Sequence, residues 1–144
     1  MDDNLKPNIL YVDDEIDNLV VFKSAFRRFY NIITATSGTE ALGVFSREPI
    51  ALIITDQRMP QMTGIELLMN MPEQPESIRM VLTGYSDVSA IIDAINSGKV
   101  YKYITKPWDK NDLKVTIDNA IEALELRINN KQLIQELKEA NESL

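Results

Sequence analysis

Ala51-Leu52-Ile53-Ile54-Thr55-Asp56 is the stretch that decides the fold. Its run of apolar residues shows no polar alternation. A strand with one wet face would alternate, so this one is expected to be buried on both faces. Strands covered on both faces belong to parallel sheets with helices on each side. The run ends on a carboxylate, Asp56.

Working outward, similar short runs recur between amphipathic stretches. Asn8-Ile9-Leu10-Tyr11-Val12 ends at Asp13 and Asp14. Ile16, Leu19, Val20, Phe22, Phe26 and Phe29 follow at spacings near three and four, which predicts a helix. Asn31-Ile32-Ile33-Thr34-Ala35 is the next strand. A turn at Ser37-Gly38 then leads to a short helix with Ala41, Leu42 and Phe45, stopped by Pro49. After Asp56, the segment from Met59 to Gly64 is a loop opening a helix with Ile65, Leu67 and Leu68, ended by Pro72 and Pro75. Ile78 to Thr83 reads as the fourth strand. Asp87 could cap a helix with Val88, Ile91, Ile92 and Ile95, ending at Ser97-Gly98. Val100 to Thr105 is the fifth strand. Lys106-Pro107-Trp108 follows, and Asp109 or Asn111 starts the last helix.

Five such units predict an α/β fold: a doubly wound, flavodoxin-like parallel sheet of order 2-1-3-4-5, with right-handed crossovers and an extended C-terminal helix. The last helix is too long for the domain. Asp109 to Leu144 contains no Gly and no Pro, and at 1.5 Å per residue it would span about 54 Å. Ile117, Ile121, Leu124 and Ile128 form a docking stripe. Leu126, Asn130, Leu133, Leu137, Ala140 and Leu144 form a different one, spaced as a coiled-coil seam with Asn130 at an a position. The chain therefore divides into residues 1–124, the domain, and 125–144, a helical extension. A homodimer through that extension is expected; the alternative is a solvated helical tail.

Composition limits the chemistry. Of 144 residues, 44% are hydrophobic, enough for a real core. Asp and Glu total 22 against 15 Lys and Arg, giving a net charge of -7, which argues against non-specific nucleic-acid binding. The chain has no Cys and no His, which excludes disulfides, thiolate chemistry, imidazole ligands and a Ser-His-Asp triad. No apolar run approaches the roughly 20 residues of a membrane span. No leader is visible, and a cytoplasmic location is expected.

In a parallel sheet the C-terminal strand ends share one edge, and ligands bind where strand order reverses. Four of the five ends carry polar residues: Asp13-Asp14, Asp56, Thr83 and Lys106. Carboxylates gathered there repel one another unless a cation neutralises them. Oxygen-only donors select a hard ion such as Mg²⁺. A carboxylate beside it can act as nucleophile toward phosphorus, with Lys106 and Thr83 meeting the phosphoryl oxygens. Each residue also has a plainer explanation. Taken alone, Asp14 also fits a helix cap, Lys106 a solvated surface charge, and Tyr103 a plain half-buried strand aromatic.

Val12-Asp13-Asp14-Glu15, Thr55 to Pro60 with Met62-Thr63-Gly64, Leu82-Thr83-Gly84 and Tyr103-Ile104-Thr105-Lys106-Pro107 stand in order at these ends. With them the chain, over about residues 8 to 124, resembles the receiver domain of bacterial two-component response regulators. The resemblance implies that Asp56 is the phosphoacceptor and that Asp13, Asp14 and Asp56 hold Mg²⁺ together with the backbone carbonyl of Arg58. It implies that Thr83 is the switch hydroxyl and Tyr103 the switch aromatic. Pro107 matches a proline preceded by a cis bond, which would aim Lys106 into the pocket. Gly84 departs mildly from the Ala many relatives carry. Arg58 and Tyr85 occupy positions that tune phosphoryl lifetime.

The expected partner is a sensor histidine kinase or phosphotransfer protein, with an output domain or effector outside this chain. The signal would pass through helix four, strand five and helix five. Other functions fit less well. An aspartyl-phosphate hydrolase usually needs a second acid two residues after the nucleophile, where this chain has Arg58. A dinucleotide site lacks its G-x-G-x-x-G, and Asp13 and Asp14 would repel a pyrophosphate. An adaptor that is never phosphorylated would not need the full acidic set.

Overall fold

The computed structural model describes residues 6–73, 76–84 and 88–142. Five strands form one parallel sheet, β1 (Asn8–Val12), β2 (Asn31–Ala35), β3 (Leu52–Asp56), β4 (Ile78–Thr83) and β5 (Lys102–Thr105). Their order is β2-β1-β3-β4-β5, as expected. Five helices connect and cover them: α1 (Ile16–Phe26), α2 (Gly38–Arg47), α3 (Gly64–Asn70), α4 (Val88–Asn96) and α5 (Lys110–Glu142).

Every residue of β3 is buried, which explains its unbroken apolar run. The two-residue period of a strand sends alternate side chains to opposite layers. On β1, Ile9 and Tyr11 pack with Leu19, Phe22 and Phe26 of α1 and with Leu113, Ile117 and Leu124 of α5. Leu10 and Val12 face the other way, toward Ala41 and Val44 of α2, Leu67 and Leu68 of α3, and Ile91 of α4.

Some boundaries and faces differ from expectation. β5 begins at Lys102; Val100 is buried but precedes the strand, and Tyr101 bends there while its N–H donates to the Arg79 carbonyl at 2.8 Å. Only Leu19, Phe22 and Phe26 of α1 are buried, whereas Ile16 and Val20 are 67% and 57% exposed. The apolar pattern of α1 is thus wider than the stripe the sheet covers. Asp14 is not the cap of α1; the N-cap position is Glu15, whose side chain makes no capping bond to a backbone N–H. For α5 the capping oxygen comes from Asp109, whose carboxylate accepts from the Asp112 N–H at 3.0 Å. The readings placed on Pro75, Tyr85, Asp87 and Leu144 lie outside the described residues.

Helix α5 docks through Leu113, Ile117, Ala120 and Leu124, with Ile121 and Ile128 partly buried beside them. Residues 129–142 are exposed throughout. The docked part is also tied laterally, because the Tyr30 hydroxyl donates to Asp118 on α5. Among the described residues, no helix is long and apolar enough to cross a membrane.

Candidate functional site

The register of β1 against β3 pairs Val12 with Thr55. The next residues, Asp13 and Asp56, therefore emerge side by side at the C-terminal edge. Among the described residues, one carboxylate oxygen from each of Asp13, Asp14 and Asp56 falls within 4.8 Å of the others. Asp13 is 1% exposed and Asp56 4%, while Asp14 is exposed on the open side.

Lys106 follows β5, and its backbone N–H donates to the Thr83 carbonyl at 2.9 Å. That bond extends the β4–β5 pairing by one step and brings the side chain back over the edge. The ammonium forms an ion pair with Asp56 Oδ1. The Lys106–Pro107 bond is cis.

Burial pushes the Asp56 carboxyl above the usual carboxylate range, and the charges of Asp13 and Asp14 push the same way. Lys106 opposes them without cancelling them. The pocket thus holds more negative charge than its own ammonium offsets. Oxygen donors alone, two of the three acids buried, suit a small hard cation that keeps part of its water shell.

Thr83 and Tyr103 share the layer of α2, α3 and α4. Thr83 lies two residues after Val81, which packs in that layer, and Tyr103 is paired with Val81 and packs there too. The Thr83 hydroxyl donates to the Gly84 carbonyl at 2.9 Å, so its proton is turned to the backbone rather than toward Asp56. Tyr103 is half-buried. Arg58 is exposed in the loop after Asp56. Trp108 packs against Phe22 and Phe26 at the start of α5.

The loop between β3 and α3 is held from both ends. Gln57 N–H donates to the Leu82 carbonyl at 2.9 Å, and its side-chain Oε1 accepts from Ile65 N–H at 2.8 Å. Thr63 and Glu66 close a capping box at the start of α3. Gly64 packs against the Asp56 backbone so closely that a Cβ there would collide with the Asp56 carbonyl oxygen.

The family model of the response regulator receiver domain matches residues 9–118. The chain belongs to that family. A curated relative, the hydrogenase transcriptional regulatory protein HoxA of Cupriavidus necator, is 36% identical over 131 residues, 90% of this chain but 27% of HoxA. The transcriptional regulatory protein GlrR of Escherichia coli is 37% identical over 94 residues, 65% of this chain and 21% of GlrR. The chain thus spans about a quarter of the length of the curated relatives it matches. Among solved structures, an adenylate cyclase from Rhodopirellula baltica gives a TM-score of 0.85 at 30% identity, covering 91% of this chain and 98% of that one. A response regulator receiver domain protein from Clostridium thermocellum gives 0.78 at 32% identity, covering 83% and 98%.

Within this receiver domain, three further residues hold the acids and the loop beside them. Tyr11 and Asn18 each donate to Asp13 Oδ2 at 3.1 Å, and Gln57 pins the loop that follows Asp56. For Tyr11 a signal existed. It stands two residues before Asp13 on one strand, hence on the same side.

Proposed function

We propose that this receiver domain is a phosphorylation-dependent switch of two-component signalling, with Asp56 as phosphoacceptor. One observation carries the proposal: a buried carboxylate, ion-paired to Lys106, stands beside two further carboxylates on one sheet edge. Asp13, Asp14, Asp56 and the Arg58 carbonyl would hold Mg²⁺. The bound ion supplies charge neutralisation for the transferring phosphoryl oxygens.

The donor is a phosphohistidine on a sensor kinase or phosphotransfer protein, since this chain contains no His. An Asp56 oxygen forms the new bond to phosphorus as the phosphorus–nitrogen bond breaks and the imidazole leaves. Lys106 stays beside the acyl phosphate and meets one of its oxygens. Thr83 gives up the Gly84 carbonyl to donate to another, and Tyr103 turns inward on the same face. These movements remodel the surface of α4, β5 and α5. The domain is a regulator that assists its own phosphorylation and dephosphorylation, not an enzyme with an external product.

The test is intact mass after incubation with Mg²⁺ and a small acyl phosphate. One added phosphoryl group is expected in the wild type and none in Asp56→Asn. Equal modification of both, or of neither, defeats the assignment.

In this proposal the chain divides into residues 1–124 and 125–144, the output domain or effector lies outside it, and the switch works in the cytoplasm. Beyond the docked part of α5, Leu126, Leu133 and Leu137 are 63%, 55% and 59% exposed. With Asn130 and Ala140 they repeat at coiled-coil spacing, which supports a second copy as occupant. Replacing Leu133 and Leu137 with Asp should turn a dimer into a monomer in sedimentation equilibrium. A wild type that is already monomeric at high concentration would remove this arm.

A further inference from the structure

Asp13 is the most deeply buried of the three acids, and three donors hold it. The Glu15 N–H donates to Oδ1 at 3.0 Å, while the Tyr11 hydroxyl and the Asn18 amide each donate to Oδ2 at 3.1 Å. The two side-chain donors are not equivalent. Asn18 divides its amide, donating also to Glu15 Oε2 at 3.1 Å. Tyr11 is 2% exposed, and among the described residues Asp13 is its one hydrogen-bond acceptor. Its ring lies flat on Phe22, with centroids 4.0 Å apart and planes 2° apart. Phe22 in turn meets the Trp108 ring edge-on at 6.0 Å. The stack on Phe22 thus holds the phenol beside the carboxylate.

We propose that Tyr11 is a positioning residue of the cation site, holding the Asp13 carboxylate in the orientation that faces Asp14 and Asp56. The proposal rests on the reading that these three acids hold a divalent cation. Packing alone does not call for the hydroxyl. A Phe ring would fill the same space and make the same stack on Phe22. The hydroxyl touches a prospective ligand, and hydrogen bonds that orient a ligand typically change metal affinity 10- to 100-fold when lost. Two donors on one oxygen also spread its charge, which eases the crowding of three carboxylates before a cation arrives.

The test compares wild type, Tyr11→Phe and Asn18→Ala, each as the whole chain, by calorimetric titration with Mg²⁺. Tyr11→Phe should bind Mg²⁺ about tenfold more weakly, and Asn18→Ala should shift in the same direction by less. In phosphorylation by a small acyl phosphate, the half-saturating Mg²⁺ of Tyr11→Phe should rise by the same factor. Its rate at saturating Mg²⁺ should return to within about twofold of wild type, as expected of a group that acts only through ligand orientation. An unchanged Mg²⁺ affinity in Tyr11→Phe would overturn the role. A rate that stays many-fold low at saturating Mg²⁺ would also overturn it, since that marks a general structural defect. A wild type that takes up no Mg²⁺ would instead defeat the cation site itself, an outcome visible in the same experiment.

Discussion

Replacing Asp56 with Asn should raise the thermal midpoint of the metal-free protein and abolish the rise that Mg²⁺ gives the wild type. Asp56 is 4% exposed and shares its pocket with Asp13 and Asp14. Burial, then the neighbouring acids, pushes its carboxyl up, and Lys106 only partly offsets them. A carboxyl whose folded pKa is raised contributes stability while it is protonated, and loses it as pH rises through that pKa. Above that pKa the ionised group is therefore a cost to the metal-free fold. Asn keeps the shape and removes the charge. Lys106 then loses its partner, but its side chain is 39% exposed and can be solvated. Relief of about 1–3 kcal/mol is expected, or roughly 3–10 °C. Its size should shrink as pH falls toward the carboxylate range. Wild type should regain about 2.7 kcal/mol at Mg²⁺ a hundredfold above its dissociation constant. Thermal melts with and without chelator check both halves. A variant no more stable than wild type, with a wild-type midpoint flat in Mg²⁺, would mean the acids do not form a strained cation site.

Gly64→Ala should be the most damaging single methyl in the chain. The added Cβ would run into the Asp56 carbonyl oxygen, with the Thr55 Cγ2 at 3.0 Å and the Asp56 carbonyl carbon at 3.1 Å. Two of these three atoms are backbone, which cannot rotate aside. The start of α3 would have to retreat, pulling at the Gly64 N–H to Gln57 carbonyl bond of 2.9 Å and the Ile65 N–H to Gln57 side-chain bond of 2.8 Å. Overpacking of this kind costs about 2–3 kcal/mol. The displaced backbone belongs to Asp56, so phosphorylation should fall more than about tenfold even where the variant remains folded, as misplacement of a reacting group costs rate steeply. Gly84→Ala is the control. Among the described residues a Cβ at Gly84 meets nothing within 4 Å, so stability should stay within about 0.5 kcal/mol. Urea denaturation and the acyl phosphate assay measure both. If Gly64→Ala matched Gly84→Ala, the close approach of α3 to Asp56 would have no functional weight.

Strand order and the converging acids were legible because both follow from local pattern plus topology. Unbroken apolar runs mark strands covered on both faces, and the residue after each run lands on one edge. The limits of β1, β2 and β4 follow from those runs directly. β5 was less legible because Val100 is apolar through burial rather than pairing. Helix α1 misled in its breadth, since Ile16 and Val20 fit the helical period yet remain exposed. Asp14 could not be told from a cap by sequence. Its neighbour Glu15 takes the cap position and leaves Asp14 at the mouth of the pocket. Tyr11 and Asn18 are not legible in the sequence, because an aromatic in a strand and an amide in a helix are ordinary there. Only their contacts with Asp13 distinguish them.

The most direct measurement is chemical. Wild-type protein treated with Mg²⁺ and a small acyl phosphate is reduced with borohydride, digested and sequenced by mass spectrometry. An acyl phosphate on Asp56 predicts homoserine at position 56 and at no other acid. Homoserine at Asp13 or Asp14 instead, or phosphate recovered only on a hydroxyl such as Thr83, would contradict the assignment.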